Sequence, residues 1–429
     1  MKILGIIAEY NPFHNGHQYH LKESKTLIQA DGVVCVLSSN FLQRGEPALV
    51  DKWERTKMAL AGGADLVIEL PMPYALRSAE FFAYGAVSLL NATGVVDYIS
   101  FGSEAGNLNK LNQIARILAN EPEEFTRLLG NHLSKGLSYP DARTRALIDY
   151  FKQTDTEISL DQNEVKFLTS NPNNILGLEY LKAIHRLESK LIPITIPRKG
   201  AGYHDKKIEG EIASATAIRK ILSEKWRNGD ELLDKEILKT MPESSCNILR
   251  SAFSKGKGPI FIDDFSLQIL TLLRRAKTEE IANLFDVRGG LENRIKEAAE
   301  QATSIHDLIE RIKTKRYTWT RIQRILFHFL LNLTSLECEY FDQLGGPQYI
   351  RVLGFTPRGQ HILAKMKNLA RLPIITRVAS YYNRPETPEP INRMLELEIL
   401  TTNLYSLAMP NPVYRRSNRD LLEKIIIWK

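Results

Sequence analysis

The most informative part of this sequence is Ile3-Leu-Gly-Ile-Ile-Ala-Glu-Tyr-Asn-Pro-Phe-His-Asn-Gly-His-Gln-Tyr-His20. Its isoleucine-rich run predicts a first strand, the Asn-Pro pair and the glycine predict a turn, and the polar residues that follow predict a helix. A turn of this kind, at the carboxyl edge of a parallel sheet, presents backbone N–H groups and the positive end of a helix dipole. Because His14 and His17 flank the glycine, we expect a polyanion site here, with a nucleoside triphosphate as the favoured ligand.

Strand and helix signals alternate through the first half of the chain. Further strands are predicted at 32–37, 65–70, 97–101 and 192–196. Helices are predicted after a capping box formed by Asp51 and Glu54, from Ser78 to Leu90, and from Ala213 to Ser223. This alternation indicates right-handed βαβ units, so we expect an α/β fold with a Rossmann-like parallel sheet that binds ligands at its carboxyl edge.

From about Leu238 onward the strand signals fade, and segments such as 266–273 and 319–331 have the periodicity of amphipathic helices. With 429 residues the chain exceeds one ordinary core. We therefore predict two domains: a catalytic domain at 1–240, with a helical insertion, and a mainly α-helical basic domain at 241–429.

Charge is distributed unevenly between these two regions. Residues 1–240 hold 29 Lys and Arg against 30 Asp and Glu, whereas residues 241–429 hold 28 against 20. The second region therefore has all of the net charge of +7, which suggests a polyanionic partner such as nucleic acid. A solvated basic surface explains the charge by itself equally well.

Compartment and membrane association can also be assessed from the sequence. The residues before Glu9 are too few for a signal peptide, and no apolar run approaches the roughly 20 residues of a membrane span. Cys35, Cys246 and Cys338 are far apart and form no CxxC pair. We expect a cytoplasmic protein with reduced thiols and no membrane partner.

Two short motifs resemble those of the nucleotidylyltransferase superfamily, which includes the class I aminoacyl-tRNA synthetases. His14-Asn-Gly-His17 is similar to its HxGH motif, and Ala213-Ser-Ala-Thr-Ala-Ile-Arg219 is similar to its ISSTxxR motif. Thr216 and Arg219 match the second motif, while Ala215 stands where a serine is usual. The resemblance implies a Rossmann-like catalytic domain of the superfamily's HUP type.

Longer segments resemble the bacterial tRNA(Met) cytidine acetate ligases, from residue 1 to about residue 360, with the resemblance fading toward the C-terminus. These segments are Glu9–His17, Phe41–Pro47, Asp65–Pro71, Phe101–Glu104, Asn171–Gly177 and Lys313–Arg321. The family implies activation of acetate by ATP as acetyl-adenylate with release of pyrophosphate. The acetyl group then passes to N4 of the wobble cytidine of elongator tRNA(Met), which gives N4-acetylcytidine.

The resemblance also implies a set of site residues. His14, His17 and Arg219 would be catalytic, as donors to the phosphates, with backbone N–H groups around Asn15 and Gly16 assisting. ATP would contact Ile7, Ala8, Glu9, Tyr10, Asn11, Pro12, Phe13, His14, Asn15, Gly16, His17, Gln18, Tyr19, His20, Gly102, Asn173, Arg198, Ser214 and Thr216. Mg²⁺ is expected on the pyrophosphate, although no carboxylate cluster nominates protein ligands.

Structural roles compete with these assignments. The two histidines can be turn residues with local hydrogen bonds; a metal site formed with His20 is less favoured, because no cysteine or suitably spaced carboxylate completes it. Gly102 can simply end a strand, and Asn173 can cap a helix. Arg44 can bind the carboxylate of acetate or a tRNA phosphate, or only pair with Glu46.

Cations interleave with aromatic residues near the start of the helix predicted at 319–331. An alternation of cations for phosphates with rings for base stacking is typical of RNA-binding surfaces. We expect tRNA contacts from Lys313, Lys315, Arg316, Arg321 and Arg324. The spacing of Trp319 with Ile322 and Leu326 is helical and favours a core position for the tryptophan.

The chemistry of the implied reaction agrees with these residue types. Acetate is already ionised near neutral pH, so its attack on the α-phosphate requires positioning and charge relief rather than a base. Two other functions remain open: a small-molecule adenylyltransferase acting on a phosphate-bearing metabolite, and a non-catalytic RNA-binding protein that keeps a nucleotide pocket. The first leaves the basic region without a purpose, and the intact histidine pair with Arg219 argues against the second.

Overall fold

A computed structural model describes residues 1–154, 159–198, 213–314 and 316–429. Within these residues the strands are β1 (Ile3–Ala8), β2 (Gly32–Ser38), β3 (Leu66–Leu70), β4 (Tyr98–Ser103), β5 (Ile192–Pro197), β6 (Ile350–Phe355), β7 (Ile374–Ile375) and β8 (Ile426–Ile427). The strands predicted in the first half of the chain are confirmed to within a few residues at each end.

The helices flank this sheet and fill much of the second half of the chain. They are α1 (Asn15–Ile28), α2 (Lys52–Ala61), α3 (Met72–Ala75), α4 (Ala79–Ala92), α5 (Leu108–Asn120), α6 (Glu123–Ser134), α7 (Tyr139–Gln153), α8 (Gln162–Ser170), α9 (Pro172–Arg186), α10 (Ala215–Asn228), α11 (Lys235–Leu238), α12 (Glu243–Ser254), α13 (Ser266–Arg275), α14 (Thr278–Ala282), α15 (Leu291–Gln301), α16 (Ile305–Ile312), α17 (Trp319–Leu330), α18 (Ser335–Gln343), α19 (Pro357–Leu369), α20 (Glu389–Ser406) and α21 (Arg419–Leu422). Short 3₁₀ helices occur at Ile262–Phe265, Val378–Ser380 and Pro412–Tyr414.

The strands form one sheet in the order β5-β4-β1-β2-β3-β6-β7, with β8 also paired to β6. The first five strands are mutually parallel, which confirms the predicted Rossmann-like arrangement. After β1 the chain builds β2 and β3 on one side and then returns to place β4 on the other. The gap between β1 and β4 is therefore the topological switch point, where ligands bind in folds of this class.

The mainly helical second region also contributes strands to this sheet, which the sequence analysis missed. β6 pairs antiparallel with β3, and β7 and β8 pair with β6. The run 350–355 is short and interrupted by an arginine and a glycine, so it has no strong strand signal in isolation. The division at residue 240 remains a prediction.

A buried cluster of charged side chains connects residues of the region 241–429 with the sheet. Lys52 at the start of α2 lies 2.6 Å from Glu69, 2.9 Å from Glu398 and 2.7 Å from Asp420. Arg351 on β6 pairs with Glu69 at 2.9 Å and also with Asp420. Three carboxylates share two cations here, and burial raises the pKa of Glu69 to about 8. One carboxylate therefore keeps its proton at neutral pH, which makes the buried cluster neutral overall.

Candidate active site

A cavity of about 440 Å³ opens at the carboxyl ends of β1, β4 and β5, beside the switch point. Among the residues for which the sequence predicts a role, the cavity lining contains Ile7, Ala8, Glu9, Tyr10, His14, Gly16, His17, Tyr19, His20, Gly102, Asn173, Arg198, Ser214, Thr216 and Arg219. The two motifs are about 200 residues apart in the sequence, and the fold brings them to one cavity.

The other predicted ATP contacts lie outside this lining. Asn11, Pro12 and Phe13 are buried beneath it, and the Phe13 ring packs so closely on Gly62 that a Cβ there would lie 2.4 Å from it. Asn15 and Gln18 line a separate, open groove on the outer side of α1. These five residues support the turn or face away from the cavity, and their assignment as ATP contacts stays a prediction.

His14 and His17 begin α1 with a reciprocal pair of caps. Nδ1 of His14 accepts a hydrogen bond from the backbone N–H of Gly16 at 3.0 Å, and Nδ1 of His17 accepts from the N–H of His14 at 3.3 Å. The two rings stack with centroids 3.7 Å apart. This is a capping box in which imidazoles take the places of the usual Ser or Thr and Glu. Both histidines therefore make the local hydrogen bonds of turn residues, and they do so through Nδ1. Nε2 of each ring is left for other partners.

The caps also determine which nitrogen holds the ring proton. Because each Nδ1 accepts a hydrogen bond, a neutral ring must have its proton on Nε2. Burial, and then the nearby guanidinium groups, lowers the pKa of His14 to about 3, and burial lowers the pKa of His17 well below its ordinary value. Both rings are therefore neutral at physiological pH and act as hydrogen-bond donors rather than cations.

The backbone N–H groups at this turn are already occupied. The N–H of Asn15 donates to the carbonyl of Thr240 at 3.0 Å, and the N–H of Gly16 donates to His14. Both groups thus have protein partners in this structure, a carbonyl for Asn15 and an imidazole for Gly16. Their assistance to phosphate binding stays a prediction.

Arg219 lies one turn into α10, on the same face as Thr216, and Ser214 caps that helix by accepting from the N–H of Ala217 at 3.1 Å. The guanidinium of Arg219 donates to the backbone carbonyl of Asn11 at 2.9 Å and pairs with the carboxylate of Glu46. The first contact joins the second motif to the turn that precedes the first motif. The second shows that an incoming phosphate must exchange with Glu46 for this guanidinium.

Glu46 belongs to a tight loop, 41–47, that follows β2 and forms one wall of the cavity. The N–H of Leu42 donates to the carbonyl of Glu46 at 2.9 Å, which closes the loop. Gln43, Arg44 and Glu46 all line the cavity, and the N–H of Gln43 donates to Glu9 at 2.8 Å. None of the three is among the predicted ATP contacts, although Arg44 is a candidate ligand of acetate or a tRNA phosphate. Their signal in the sequence is a cluster of polar residues just past a buried strand.

Gly102, Asn173 and Arg198 meet at the opposite wall. A Cβ at Gly102 would find its nearest protein atom 3.5 Å away, so packing does not require a glycine and the position keeps the cavity open. Both ends of the Asn173 amide have protein partners: its Nδ2 donates to Glu104 at 2.6 Å and its Oδ1 accepts from Arg198 at 3.2 Å. In this arrangement Asn173 orients Arg198. Glu104 meanwhile accepts from the backbone N–H groups that begin α9.

An apolar wall, absent from the sequence prediction, completes the cavity. It comprises Phe82, Phe101, Ile175, Leu176 and Tyr180. Phe101 packs against Tyr180 with ring centroids 5.9 Å apart, and a Cβ at Gly177 would clash with Phe101. Apolar residues of helices and strands have no sequence signal that separates a cavity wall from ordinary core.

The cations expected to contact RNA separate into exposed and buried groups. Lys313 and Arg316 are exposed; Arg321 is partly buried and donates to the carbonyl of Asp286 at 2.6 Å; Lys315 lies outside the described residues. Arg324 is only 8% exposed and donates to the carbonyl of Gln43 at 3.4 Å. Its prediction as a phosphate ligand is wrong, because the inner face of α17 presses it onto the loop 41–47.

That contact joins the basic region to the cavity wall. Gly45 has φ +77°, and a Cβ there would lie 2.3 Å from the backbone nitrogen of Arg324. The amide of Gln323, in its better-satisfied orientation, donates to the carbonyl of Arg44 at 3.2 Å and accepts from the indole N–H of Trp319 at 3.3 Å. The half-buried Trp319 is thus packed, as its spacing predicts, and it supports the loop.

Comparison with known proteins agrees with the two motifs. A family model described as HIGH Nucleotidyl Transferase matches residues 1–420. A tRNA(Met) cytidine acetate ligase of Acetivibrio thermocellus is 47% identical over 428 residues, which cover 100% of this chain and 100% of that protein. The chain belongs to this family. A second member, from Halothermothrix orenii, is 45% identical over 428 residues and 99% of each chain.

Solved structures of the family have the same fold. Thermotoga maritima TmcAL bound with alpha-thio ATP superposes with a TM-score of 0.90 at 36% identity, covering 100% of this chain and 99% of that one. Its apo form I gives a TM-score of 0.92 at 37% identity, with the same coverage. These matches extend the resemblance beyond residue 360 to the end of the chain.

Proposed function

We propose that this chain is an ATP-dependent ligase that converts acetate into acetyl-adenylate and transfers the acetyl group to N4 of the wobble cytidine of elongator tRNA(Met). The observation that supports it most is the convergence of the Nε2–H side of His14 and His17 with Arg219 in one cavity at the switch point. Relatives that match over their whole length are named tRNA(Met) cytidine acetate ligase, and a structural neighbour was solved with alpha-thio ATP bound.

ATP is proposed to lie across the cavity, with its base against the apolar wall and its triphosphate toward the histidine pair. The wall of Phe101, Leu176 and Tyr180 suits a planar, weakly polar ring. The triphosphate has several negative charges, and Arg44, Arg198 and Arg219 line its end of the cavity. Neutral imidazole donors and guanidinium groups can stabilise the charge as it moves from the α-phosphate to pyrophosphate.

Adenylation requires no proton transfer by the protein. An acetate oxygen attacks the α-phosphorus, the bond to the bridging oxygen breaks, and pyrophosphate leaves. We propose that His14 and His17 donate to the phosphoryl oxygens during this step. Arg219 leaves Glu46 for the β- and γ-phosphates, which its planar fork can bind through two oxygens.

The second step needs the cytidine at the mouth of the same cavity. The amine N4 attacks the acetyl carbonyl carbon, the bond to AMP oxygen breaks, and N4 loses a proton. Helix α17 packs directly on the loop 41–47, so exposed cations near its start, Lys313 and Arg316, are attached to the cavity wall. This attachment supports their proposed role in holding the anticodon loop.

The described residues offer no evident set of protein ligands for Mg²⁺. Among the described residues, no group of three or more His, Cys, Asp or Glu side chains is arranged to hold a metal ion. Glu46, whose carboxylate lines the cavity, is paired with Arg219. Mg²⁺ is therefore proposed to enter the cavity with ATP, whose phosphate oxygens would supply its ligands.

The proposed compartment is the cytoplasm, where the tRNA substrate is found. The three cysteines are buried free thiols, as expected of a reducing compartment. Within the part of the chain that the structure describes, no helix is both long enough and apolar enough to cross a bilayer.

The direct test supplies purified protein with ATP, labelled acetate and elongator tRNA(Met). We expect acetate-dependent exchange of pyrophosphate into ATP without tRNA, and label in the tRNA as N4-acetylcytidine when it is added. Exchange that depends on a phosphate-bearing metabolite instead of acetate would indicate the small-molecule adenylyltransferase. Binding of tRNA without any exchange would indicate a non-catalytic RNA-binding protein.

A further inference from the structure

The segment 343–385 holds no acidic residue and seven cations. The whole of residues 241–429 has a net charge of +8, from 28 cations and 20 acids, so this segment alone accounts for most of the excess. It includes β6, helix α19 and the loop that follows. Such a run is separate from the cations near α17, which begin 30 residues earlier in the sequence.

The charged side chains of this segment point outward, with the exception of Arg351. The exposed cations are Arg358, Lys365, Lys367, Arg371, Arg377 and Arg384, and His361 is exposed among them. The opposite side of α19 is apolar and packs into the core through Ile362, Leu363 and Met366. In the described part of the chain, none of the six exposed cations lies within ion-pair distance of a carboxylate.

The position of α19 separates this surface from the cavity. A Cβ at Gly32, the first residue of β2, would meet Ile362, and the N–H of Thr356 donates to the carbonyl of Asp65 just before β3. The helix therefore lies at the amino edge of the sheet, whereas the cavity lies at the carboxyl edge. The six residues of β1 separate the two edges by about 20 Å.

We propose that Arg358, Lys365, Lys367 and Arg371 form a second RNA contact, which holds the phosphate backbone of the tRNA stem while the anticodon loop is at the cavity. This inference rests on the proposed function and adds a substrate surface to it. All four side chains are exposed, so the phosphates of an RNA can approach them from solvent and displace their counterions. A membrane is less suited to this face, because the apolar side of the helix is already buried in the core and has nothing to insert.

The distance between the two sites sets a minimum length for an RNA that can contact both. Only an RNA that extends more than about 20 Å from the wobble base can reach both sites at once. A full-length tRNA meets this demand, whereas an anticodon stem-loop cut short just above the loop does not. The surface should therefore affect the long substrate far more than the short one.

The experiment compares a fourfold variant, Arg358→Gln, Lys365→Gln, Lys367→Gln and Arg371→Gln, with a matched fourfold control. The control replaces Arg116, Lys152, Lys166 and Lys190 by glutamine. These are exposed cations of the nearly neutral first region, and their replacement removes the same net charge. Each protein is assayed for acetate-dependent pyrophosphate exchange, and for binding and acetylation of full-length tRNA and of the short stem-loop across a salt series.

We expect exchange to be unchanged in both variants. In the surface variant, affinity for full-length tRNA should fall about tenfold at physiological salt, and the slope of log affinity against log salt should become shallower by about 3. Binding of the stem-loop should stay within about twofold, and the control should resemble the wild type. Normal exchange with unchanged tRNA affinity would overturn the second contact and leave the proposed function intact, as would an equal loss for both RNAs. Absence of exchange in the wild type would instead overturn the proposed function.

Discussion

Replacing His14 by asparagine separates the two roles that its imidazole has in the structure. Nδ1 caps helix α1 through the N–H of Gly16, while Nε2 remains to donate into the cavity. The side-chain oxygen of asparagine lies the same number of bonds from Cα as Nδ1, and asparagine is among the best N-cap residues. His14→Asn therefore keeps the cap and removes the donor, whereas His14→Ala removes both.

The sizes of the two effects differ enough to be distinguished. Loss of an N-cap costs about 1 kcal/mol of folding stability, which for 429 residues corresponds to about 1 °C in Tm. Loss of one preorganised donor to a developing oxyanion costs about 2.7–4 kcal/mol of transition-state stabilisation, or roughly 10² to 10³ in rate. We therefore expect both variants to lose this factor in exchange, and the unfolding free energy of His14→Ala to be lower than that of His14→Asn by about 1 kcal/mol.

The assay is acetate-dependent pyrophosphate exchange, with urea unfolding and tRNA binding measured on the same preparations. His17→Asn provides a matched second case, because Nδ1 of His17 accepts from the N–H of His14 in the same way. Exchange by His14→Asn within about threefold of the wild type would refute the assignment of Nε2 as a phosphate donor. Equal stability of the asparagine and alanine variants would refute the assignment of Nδ1 as a cap.

Three further changes test other parts of the structure. Glu46→Gln removes the carboxylate that competes with phosphate for Arg219. Because this partly exposed ion pair is worth about 1 kcal/mol, the Kd for ATP measured by calorimetry should fall about fivefold. A weaker affinity for ATP would contradict the exchange of Glu46 for phosphate. Gly45→Ala places a Cβ against the backbone of Arg324 at positive φ, so the unfolding free energy in urea should fall by about 2–4 kcal/mol; an unchanged value contradicts the packing of the loop. Glu69→Gln keeps the buried cluster neutral between pH 6 and 8.5, because the remaining two carboxylates and two cations all stay charged in that range. The pKa of Glu69 in the folded protein is raised to about 8, so the wild type loses stability as pH rises from about 4.5 through 8. The unfolding free energy of the variant should therefore fall less between pH 6 and 8.5. An identical fall in both proteins would contradict a proton retained on Glu69.

The arrangement of the sheet was predictable because each parallel strand is buried on both faces and appears as a continuous apolar run. Val33 to Leu37 and Leu66 to Ile68 are fully buried, and such runs between helical segments leave few alternatives. β6 was not predictable in this way. Arg351, which would normally argue against a buried strand, is neutralised there by Glu69 and Asp420, partners that are distant in sequence.

The candidate site divides along a similar line. His14, His17 and Arg219 have strong local signals, because a turn after a strand and a helix start determine where their side chains point. The hydrogen-bond partners of these residues could not be deduced. The occupation of Nδ1 by a cap, and of Arg219 by Glu46, depends on distances between segments that the order of residues does not contain. Arg324 was misassigned for the same reason, since a basic side chain in an exposed pattern is buried here by the loop 41–47.

A crystal structure with a non-hydrolysable ATP analogue and acetate would show where the triphosphate binds. We expect phosphate oxygens within hydrogen-bonding distance of Nε2 of both His14 and His17, and the Arg219 guanidinium transferred from Glu46 to the β- and γ-phosphates. A nucleotide bound outside this cavity, or phosphates that face away from both imidazoles while Arg219 stays on Glu46, would contradict this expectation.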